Sequence, residues 1–406
     1  MNLDWKDMVN NMDKLEYGVN LIASENLPFK EVLRYESSPF LISKYAEGDY
    51  LRRYYSNCGV INEIEKKCID KLCELTGMEY ANVQPYSGSV ANIAVYLTVL
   101  NPGDRILSLD LGCGGHLTHG AGGSFSAKFF NVLNYGVDKE SGMIDYEEML
   151  KKTLEFKPKL IIAGSSSYSR YIDFKTIREI ADKVGAYVLF DMAHYIGLIL
   201  GKAYNAPSPF CYADFVTFTT HKTFKGPRGA VILCKRRFAK ELDLTVFPML
   251  QGGPFMHTIA GKLIAAEAAE TKEYSNYQLQ VVENAKTLCN HFIDKGLSIV
   301  SGGTDTHVFT LLTSSFNKSG RDCEEALEKA GVFVNRNLIP YDNKAADEGS
   351  GIRIGTPFIT SLGAKKDDMI IIGDIIFNIL MENFPPTKND VIQFIKSITQ
   401  RNEIYW

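Results

Sequence analysis

Between residues 80 and 234, apolar runs of four or five residues alternate with segments whose apolar positions recur every three or four residues. The runs predict strands at Tyr80–Val83, Arg105–Leu109, Phe129–Leu133, Leu160–Ala163, Tyr187–Phe190 and Phe215–Phe218, with Ala230–Cys234 returning from a Gly-Pro-Arg-Gly turn. The periodic segments predict helices at Ser89–Leu100, Tyr146–Phe156 and Phe174–Val184. Strands buried on both faces and alternating with helices imply an α/β fold with a mostly parallel central sheet and helices on both faces. In such sheets ligands collect beyond the carboxyl ends of the strands.

The pattern changes after Gly253. A long helical stretch from Thr258 through Phe292 precedes strands near Leu297–Val300 and Val308–Leu312, and helices follow at Cys323–Ala330 and Lys365–Met381. This reads as a smaller C-terminal α+β domain. The expected division is an N-terminal arm at 1–35, a large domain at 36–270 and the small domain at 271–406, the arm packing on the large domain or on a partner chain. There is no internal repeat and no low-complexity tract.

Composition narrows the class without naming a chemistry. With 406 residues, 45% hydrophobic and 23% charged, the chain has the make-up of a soluble globular protein. Forty-four Lys and Arg against 48 Asp and Glu leave a net charge of -4, which gives no basic footprint for nucleic acid. The amino terminus has no basic flank followed by an apolar core, and no apolar run reaches the ~18 residues that span a bilayer. Eight cysteines lie scattered without Cys-x-x-Cys pairs, which argues against a zinc site and a disulfide framework and for a reducing cytoplasm.

Polar clusters fall where the predicted strands end. Gln84-Pro-Tyr-Ser87-Gly88-Ser89 follows the first strand and opens a helix, so free backbone N–H groups and two hydroxyls converge as in a phosphate cradle; an ordinary serine N-cap has the same sequence. Leu111-Gly-Cys-Gly-Gly115-His116-Leu117-Thr-His119 follows the second strand, with glycines that admit a ligand and an imidazole able to stack on a flat ring; a flexible loop with surface histidines is the plainer alternative. Asp191-Met-Ala-His194 ends the fifth strand, where the carboxylate either caps a helix or holds the proton of a heterocyclic nitrogen. Thr219-Thr-His221-Lys222 ends the sixth. An amine there, kept from bulk water, can form a Schiff base with an aldehyde, whereas a lysine in a glycine-rich turn is more often solvated. Lysine for an aldehyde, carboxylate for a pyridinium nitrogen and N–H groups for a phosphate are the parts that pyridoxal phosphate requires.

At these residues the sequence resembles the serine hydroxymethyltransferase family, pyridoxal phosphate enzymes of fold type I. The resemblance runs through Leu21-Ile-Ala-Ser-Glu-Asn26, Lys44-Tyr-Ala-Glu-Gly48, Arg53-Tyr-Tyr55, Ser87-Gly-Ser89, Gly114-Gly-His-Leu-Thr-His-Gly120, Asp191-Met-Ala-His194, Thr219-Thr-His-Lys-Thr223, Gly226-Pro-Arg-Gly229, Gln251-Gly-Gly-Pro254 and Gly351-Ile-Arg-Ile-Gly-Thr-Pro357. It implies Lys222 as the cofactor lysine, Asp191 as the pyridinium partner and His116 as the stacking residue. Ser87, Gly88 and Ser89 are implied as phosphate ligands, Ser166 and His194 as neighbours of the phenolic oxygen, and His221 as a further catalytic residue. Tyr45 and Gly252 are implied to complete the site of a neighbouring subunit, hence a homodimer with shared sites, or a pair of such dimers.

On the substrate side the resemblance implies Arg353 for the amino-acid carboxylate with Ser24 beside it, Tyr55 near the amino acid, and Glu47 as the acid–base group facing the hydroxymethyl carbon and folate. Leu111, Gly115 and Leu117 are implied as further substrate-binding residues, and Asn337 lies in a segment that resembles a folate-contacting loop. The implied reaction interconverts L-serine plus tetrahydrofolate with glycine plus 5,10-methylenetetrahydrofolate.

Departures cluster on that side. The family run Tyr-Pro-Gly-Lys-Arg-Tyr-Tyr-Gly-Gly-Cys-Glu is replaced by Asp49-Tyr-Leu-Arg-Arg-Tyr-Tyr-Ser-Asn-Cys-Gly59, and Tyr86 and Cys113 stand at positions usually held by histidine. The readings are therefore a folate-dependent hydroxymethyltransferase, a folate-independent aldolase or transaldolase (or an enzyme for α-substituted serine) of the same lineage, and a silent binding protein on the same fold.

Overall fold

The structure is a computed structural model and describes residues 18–401. It divides into two compact units, one of residues 26–279 and one that joins residues 18–25 to 280–401. These boundaries differ from the expected ones at both ends. Residues 1–17 of the expected arm lie outside the described residues, and 18–25 belong with the C-terminal unit because β1 (Val19–Asn20) pairs in parallel with a strand at Val332–Phe333. The second boundary falls inside a continuous helix, Lys272–Asp294, rather than at its start.

The larger unit holds β2 (Tyr80–Asn82), β3 (Arg105–Leu109), β4 (Asn131–Tyr135), β5 (Leu160–Ala163), β6 (Tyr187–Asp191), β7 (Phe215–Thr219) and β8 (Ala230–Cys234) in one sheet of order β2-β8-β7-β6-β5-β3-β4. β8 runs antiparallel to both of its neighbours and all other pairs are parallel. Because β8 reverses twice, β2 points the same way as β3, β5, β6 and β7. The loops that leave the carboxyl ends of these strands therefore emerge at one edge of the sheet.

Burial explains why these runs are strands. Every residue of β5, β7 and β8 is buried, as expected for a sheet covered on both faces. Ile106, Leu160, Ile162, Leu189, Phe215 and Ile232 form a core against Ala91, Val95 and Tyr96 of the helix Gly88–Val99. At about 1.5–3 kcal/mol for each large side chain removed from water, this packing fixes the sheet register and with it the positions of the strand-end loops.

Two expectations shift for identifiable reasons. β4 starts two residues later than the apolar run suggests, because Ser124 caps a short helix at Phe125–Phe129 by accepting the Ala127 N–H at 3.2 Å. The long helical stretch breaks into Met256–Ala268 and Lys272–Asp294, with Thr271 Oγ1 accepting the Tyr274 N–H at 3.2 Å at the restart.

In the smaller unit β9 (Val308–Leu312), β10 (Val332–Phe333), β11 (Asn335–Asn337) and β12 (Gly351–Gly355) complete the strands; β11, β12 and β9 form an antiparallel sheet, and β10 is the partner of β1. The strand expected at Leu297–Val300 is reduced to one bridge, Ile299 to Leu311, because Ser301 takes a left-handed φ of 60° and turns the chain. Among the described residues no helix is long and apolar enough to cross a membrane.

Candidate active site

Asp191 ends β6 in a fully buried polar net. Its Oδ2 accepts from Asn92 Nδ2 at 2.8 Å and from His119 Nε2 at 3.0 Å, and its Oδ1 accepts the Ala193 N–H at 3.0 Å. Each donor is itself fixed. Thr217 of β7 donates to Asn92 Oδ1 at 2.7 Å, and His119 Nδ1 accepts the His116 N–H at 3.3 Å. The second bond leaves His119 Nε2 as the protonated ring nitrogen, the one that donates to Asp191. Burial alone would raise the Asp191 pKa, but the hydrogen bonds from His119 and from the Asn92 amide outweigh it and hold the carboxyl well below the usual range. Asp191 is thus a buried anion. An ionised carboxylate offers about four acceptor sites and these bonds use three of them, which leaves one for a cationic ring N–H.

The next strand presents the amine. β7 leads into Thr220-His221-Lys222, and the Gly-Pro-Arg-Gly turn is closed by Thr220 Oγ1 on the Pro227 carbonyl at 2.6 Å and by Gly226 N–H on the Thr220 carbonyl at 2.7 Å. Lys222 is only 8% exposed, and its Nζ lies 3.2 Å from His194 Nε2. The solvated lysine of an ordinary turn does not describe it. Asn26 Nδ2 donates to the Lys222 carbonyl at 2.9 Å and Gln278 Nε2 to the Thr223 carbonyl at 2.7 Å, so the backbone beneath the amine is clamped. His221 is pushed down to about 3 by burial first, then by the charges of Lys222 and Arg228, and it stays neutral.

Three loops gather around this pair of strand ends. Ser87 is the N-cap of the helix Gly88–Val99, its Oγ accepting the Val90 N–H at 3.3 Å. The N-cap does not exclude a cradle, since the first-turn N–H groups have no partner within the helix. A Cβ on Gly88 would lie 2.8 Å from Thr219 Cγ2, so only glycine lets the cradle approach β7 this closely. The loop after β3 brings His116, whose Nδ1 is 2.7 Å from Thr118 Oγ1 and whose ring meets that of His119 edge-on at 5.7 Å. That loop is tied to the loop after β5 by Ser166 N–H and Ser165 Oγ on the Gly114 carbonyl, at 2.8 and 2.6 Å. Gly115 packs against the Leu109 carbonyl, Leu111 is half-buried and Leu117 is exposed. Cys113 is buried, with a thiol that burial pushes up to about 11, so it is no nucleophile.

A second group forms around Glu47. Tyr45 OH donates to Glu47 Oε1 at 3.2 Å, and the Tyr45 and Tyr55 rings meet edge-on at 4.9 Å. A Cβ on Gly252 would fall 3.4 Å from Glu47 Oε1 and 3.5 Å from Tyr45 OH. Tyr86 reaches the same place by donating to the Gly253 carbonyl at 2.7 Å, its ring stacked on Phe255 at 4.3 Å. Tyr55 is held above its usual pKa by desolvation first and then by Glu47 and Tyr45. The segment's turn, where the family has Pro-Gly, is closed by Asp49 Oδ1, which accepts the N–H groups of Leu51 at 2.7 Å and Arg52 at 2.9 Å. Arg53 anchors it by pairing with the buried Glu65 and donating to the Ala46 carbonyl at 2.9 Å. A cavity of about 210 Å³ beside the turn is lined by Tyr50, Arg52, Tyr54, Asp243 and Phe247, and neither Lys222 nor Asp191 borders it.

In the smaller unit, Arg353 lies on β12 between Asn335 and Thr310 and donates through Nη2 to Asn335 Oδ1 at 2.8 Å. Burial lowers its guanidinium to about 10, so it remains charged at neutral pH. Gly355 N–H donates to the Leu21 carbonyl at 2.8 Å, which lays the segment carrying Ser24 against the end of the same strand. Asn337 donates to the Leu338 carbonyl at 2.6 Å.

Reasoning from sequence missed Asn92, Thr217 and His119 as members of the carboxylate net. Asn92 sits four residues after Gly88 on the sheet-facing side of its helix, and His119 follows His116 by one tight turn; that spacing was the available signal.

Adjacent strand ends that offer a buried amine and a buried anion, above a helix N-terminus, suit one kind of prosthetic group, and with this sheet they define a pyridoxal phosphate enzyme of fold type I. The family model for serine hydroxymethyltransferase matches residues 4–376, and the chain belongs to that family. Its members are pyridoxal phosphate-dependent one-carbon transferases, so the chain is an enzyme.

Proposed function

We propose that this enzyme interconverts L-serine plus tetrahydrofolate with glycine plus 5,10-methylenetetrahydrofolate. The observation that supports it most is Asp191, buried and held ionised at the end of β6, with Lys222 at the end of neighbouring β7. Pyridoxal phosphate, when bound, supplies an aldehyde for the lysine and a ring that withdraws electrons from the bond to be broken in the amino acid. Asp191 keeps the proton on the ring nitrogen, and His119 and Asn92 keep Asp191 ionised. His116 would cover the ring, Ser87, Gly88 and Ser89 would hold the phosphate, and Ser166 and His194 would lie on the side of the phenolic oxygen. His194 also touches Lys222 Nζ and accepts or relays its proton, while the neutral His221 orients the loop.

On the substrate side, Arg353 receives the carboxylate through its planar fork of donors, with Ser24 beside it and Tyr55 near the amino acid. Glu47 gives and takes the proton of the hydroxymethyl oxygen. Leu111, Gly115, Leu117 and Asn337 line the folate side. Tyr45 and Gly252 complete the site of a neighbouring subunit in a homodimer. Supporting this are exposed apolar side chains in the same stretch of chain as Tyr45: Phe40 at 84%, Leu51 at 78% and Tyr54 at 63%. The deciding experiment is steady-state serine cleavage with and without tetrahydrofolate. Stimulation by folate is expected.

A folate-independent aldolase or transaldolase is the second reading. What favours it is the Asp49-closed turn beside Glu47, which alters the approach of a co-substrate without touching the Asp191 net. Cleavage of β-hydroxy-α-amino acids at a rate indifferent to folate would select it.

A further inference from the structure

Lys262 lies on the helix Met256–Ala268, is 1% exposed, and has no place in the chemistry above. Its ammonium donates to three carbonyls, Val83 at 2.7 Å, Ala230 at 2.8 Å and Pro85 at 3.3 Å. Among the described residues no carboxylate hydrogen-bonds to it. An ammonium this deeply buried and bonded only to neutral carbonyls is costly: burial pushes it down to about 8 although the nearby carboxylates Glu36 and Glu65 act the other way, so it still carries most of its charge at neutral pH. Such a cost calls for a compensating role.

The bonded carbonyls indicate where that role lies. Two of the three belong to Val83–Pro85, the stretch that delivers the chain to Ser87. The carbonyl between them, on Gln84, accepts from Gln251 Nε2 at 2.9 Å, and that of Pro85 also accepts the Ala230 N–H at 3.1 Å. Every carbonyl from Val83 to Pro85 is thereby tied down. Ser87 is two residues further on, at most about 7.6 Å from Pro85 between Cα atoms. On the far side, a Cβ on Gly229 would lie 2.8 Å from Lys262 Cε; the last glycine of the Gly-Pro-Arg-Gly turn makes room for the amine.

We propose that Lys262 is a positioning residue for the phosphate-binding end of the site. It fixes the backbone that enters the Ser87–Ser89 cradle, and it places a buried positive charge behind that cradle, where the field of the helix N-terminus has the same sign. The anion it favours is the phosphate of the cofactor, so this inference rests on the pyridoxal phosphate reading above. Its charge acts through the protein interior, where at an effective dielectric constant near 20 one unit charge roughly 8 Å away would be worth about thirtyfold in affinity for each negative charge on the phosphate.

The test compares two ligands that differ only in the phosphate. Wild-type enzyme, Lys262→Met and Lys262→Gln are stripped of cofactor, and uptake of pyridoxal phosphate and of pyridoxal is titrated by absorbance. Gln keeps two N–H donors for the carbonyls and is the variant that preserves the fold. Both substitutions are expected to weaken pyridoxal phosphate about tenfold or more and to leave pyridoxal within about threefold of wild type. Inorganic phosphate should compete for uptake in wild type and compete more weakly in the variants. Equal losses for both ligands would reduce Lys262 to a structural role and overturn the proposal. Full wild-type affinity in Lys262→Gln would overturn the charge at its centre. Failure of the wild type to take up either ligand would instead bring down the cofactor reading, and this inference with it.

Discussion

The surroundings of Asp191 and those of Glu47 are built on opposite terms. Around Asp191 each side chain is buried and committed: Asn92 is held by Thr217, His119 by the His116 backbone, and both converge on one carboxylate. Around Glu47 the aromatic neighbours Tyr45 and Tyr55 are exposed, and among the described residues the carboxylate accepts from a single phenol. The first region is finished within one chain and has no freedom left to lose. The second is open, with its aromatic rings exposed.

The largest test of that contrast is at the closed region. Lys222→Ala is expected to abolish turnover, because the other buried amine of that turn, Lys225, is turned away to donate to the Leu27 carbonyl at 3.0 Å; normal cycling in this variant, measured by serine cleavage, would remove Lys222 from the chemistry. Asp191→Asn comes next. It keeps the shape but loses the charge that holds a proton on the ring, and a fall in kcat of at least about a hundredfold is expected. Cofactor absorbance should shift with it, since the carboxylate's influence is on the ring itself.

At the open region the expected losses are partial and selective. Glu47→Gln should lose folate-dependent transfer while taking up cofactor like wild type, and unchanged transfer kinetics would strip Glu47 of its proton role. Arg53→Met probes the anchor of the same segment. The Arg53 and Glu65 side chains are 3% and 2% exposed, and removing one partner of such a pair costs about 3–5 kcal/mol. Gln84 Nε2 would still donate to Glu65 Oε1 at 2.6 Å but could not neutralise it. A lowered Tm together with a raised KM for the co-substrate is the expected pair of results; a lowered Tm alone would confine Arg53 to stability.

How far the chain discloses this in advance depends on the range of the interaction. β3, β5 and β8 are legible to the residue, because a short apolar run between turn signals decides them locally. β4 and the broken helix were misplaced where one capping hydroxyl, Ser124 or Thr271, redirects the chain against its apolar pattern. In the site, Lys222, Asp191 and His194 could be named because each sits at a strand end visible in the sequence. Asn92 and His119 could not be given their role, since they meet Asp191 across 99 and 72 residues of chain, and only the sheet order brings them there. Lys262 is the extreme case: a lysine on an apolar helix, whose partners are backbone carbonyls that carry no residue-type signal at all.

The smallest expected effect tests whether the closed region excludes protons as thoroughly as its burial implies. His221 has a folded-state pKa of about 3, below the ~6.5 of an unfolded chain. Between those two values the unfolded chain takes up a proton that the folded one refuses, so stability contributed by the neutral ring is fully present above about pH 6.5 and is lost as pH falls toward 3. Wild-type stability, measured by denaturant unfolding at a series of pH values, should therefore decline across that window with a component of up to one proton that His221→Asn removes. Above pH 6.5 the two proteins should show parallel pH dependence. A wild-type slope that survives the substitution unchanged would mean that the ring is protonated in the folded enzyme, and that the region around Lys222 is wetter than the region around Asp191.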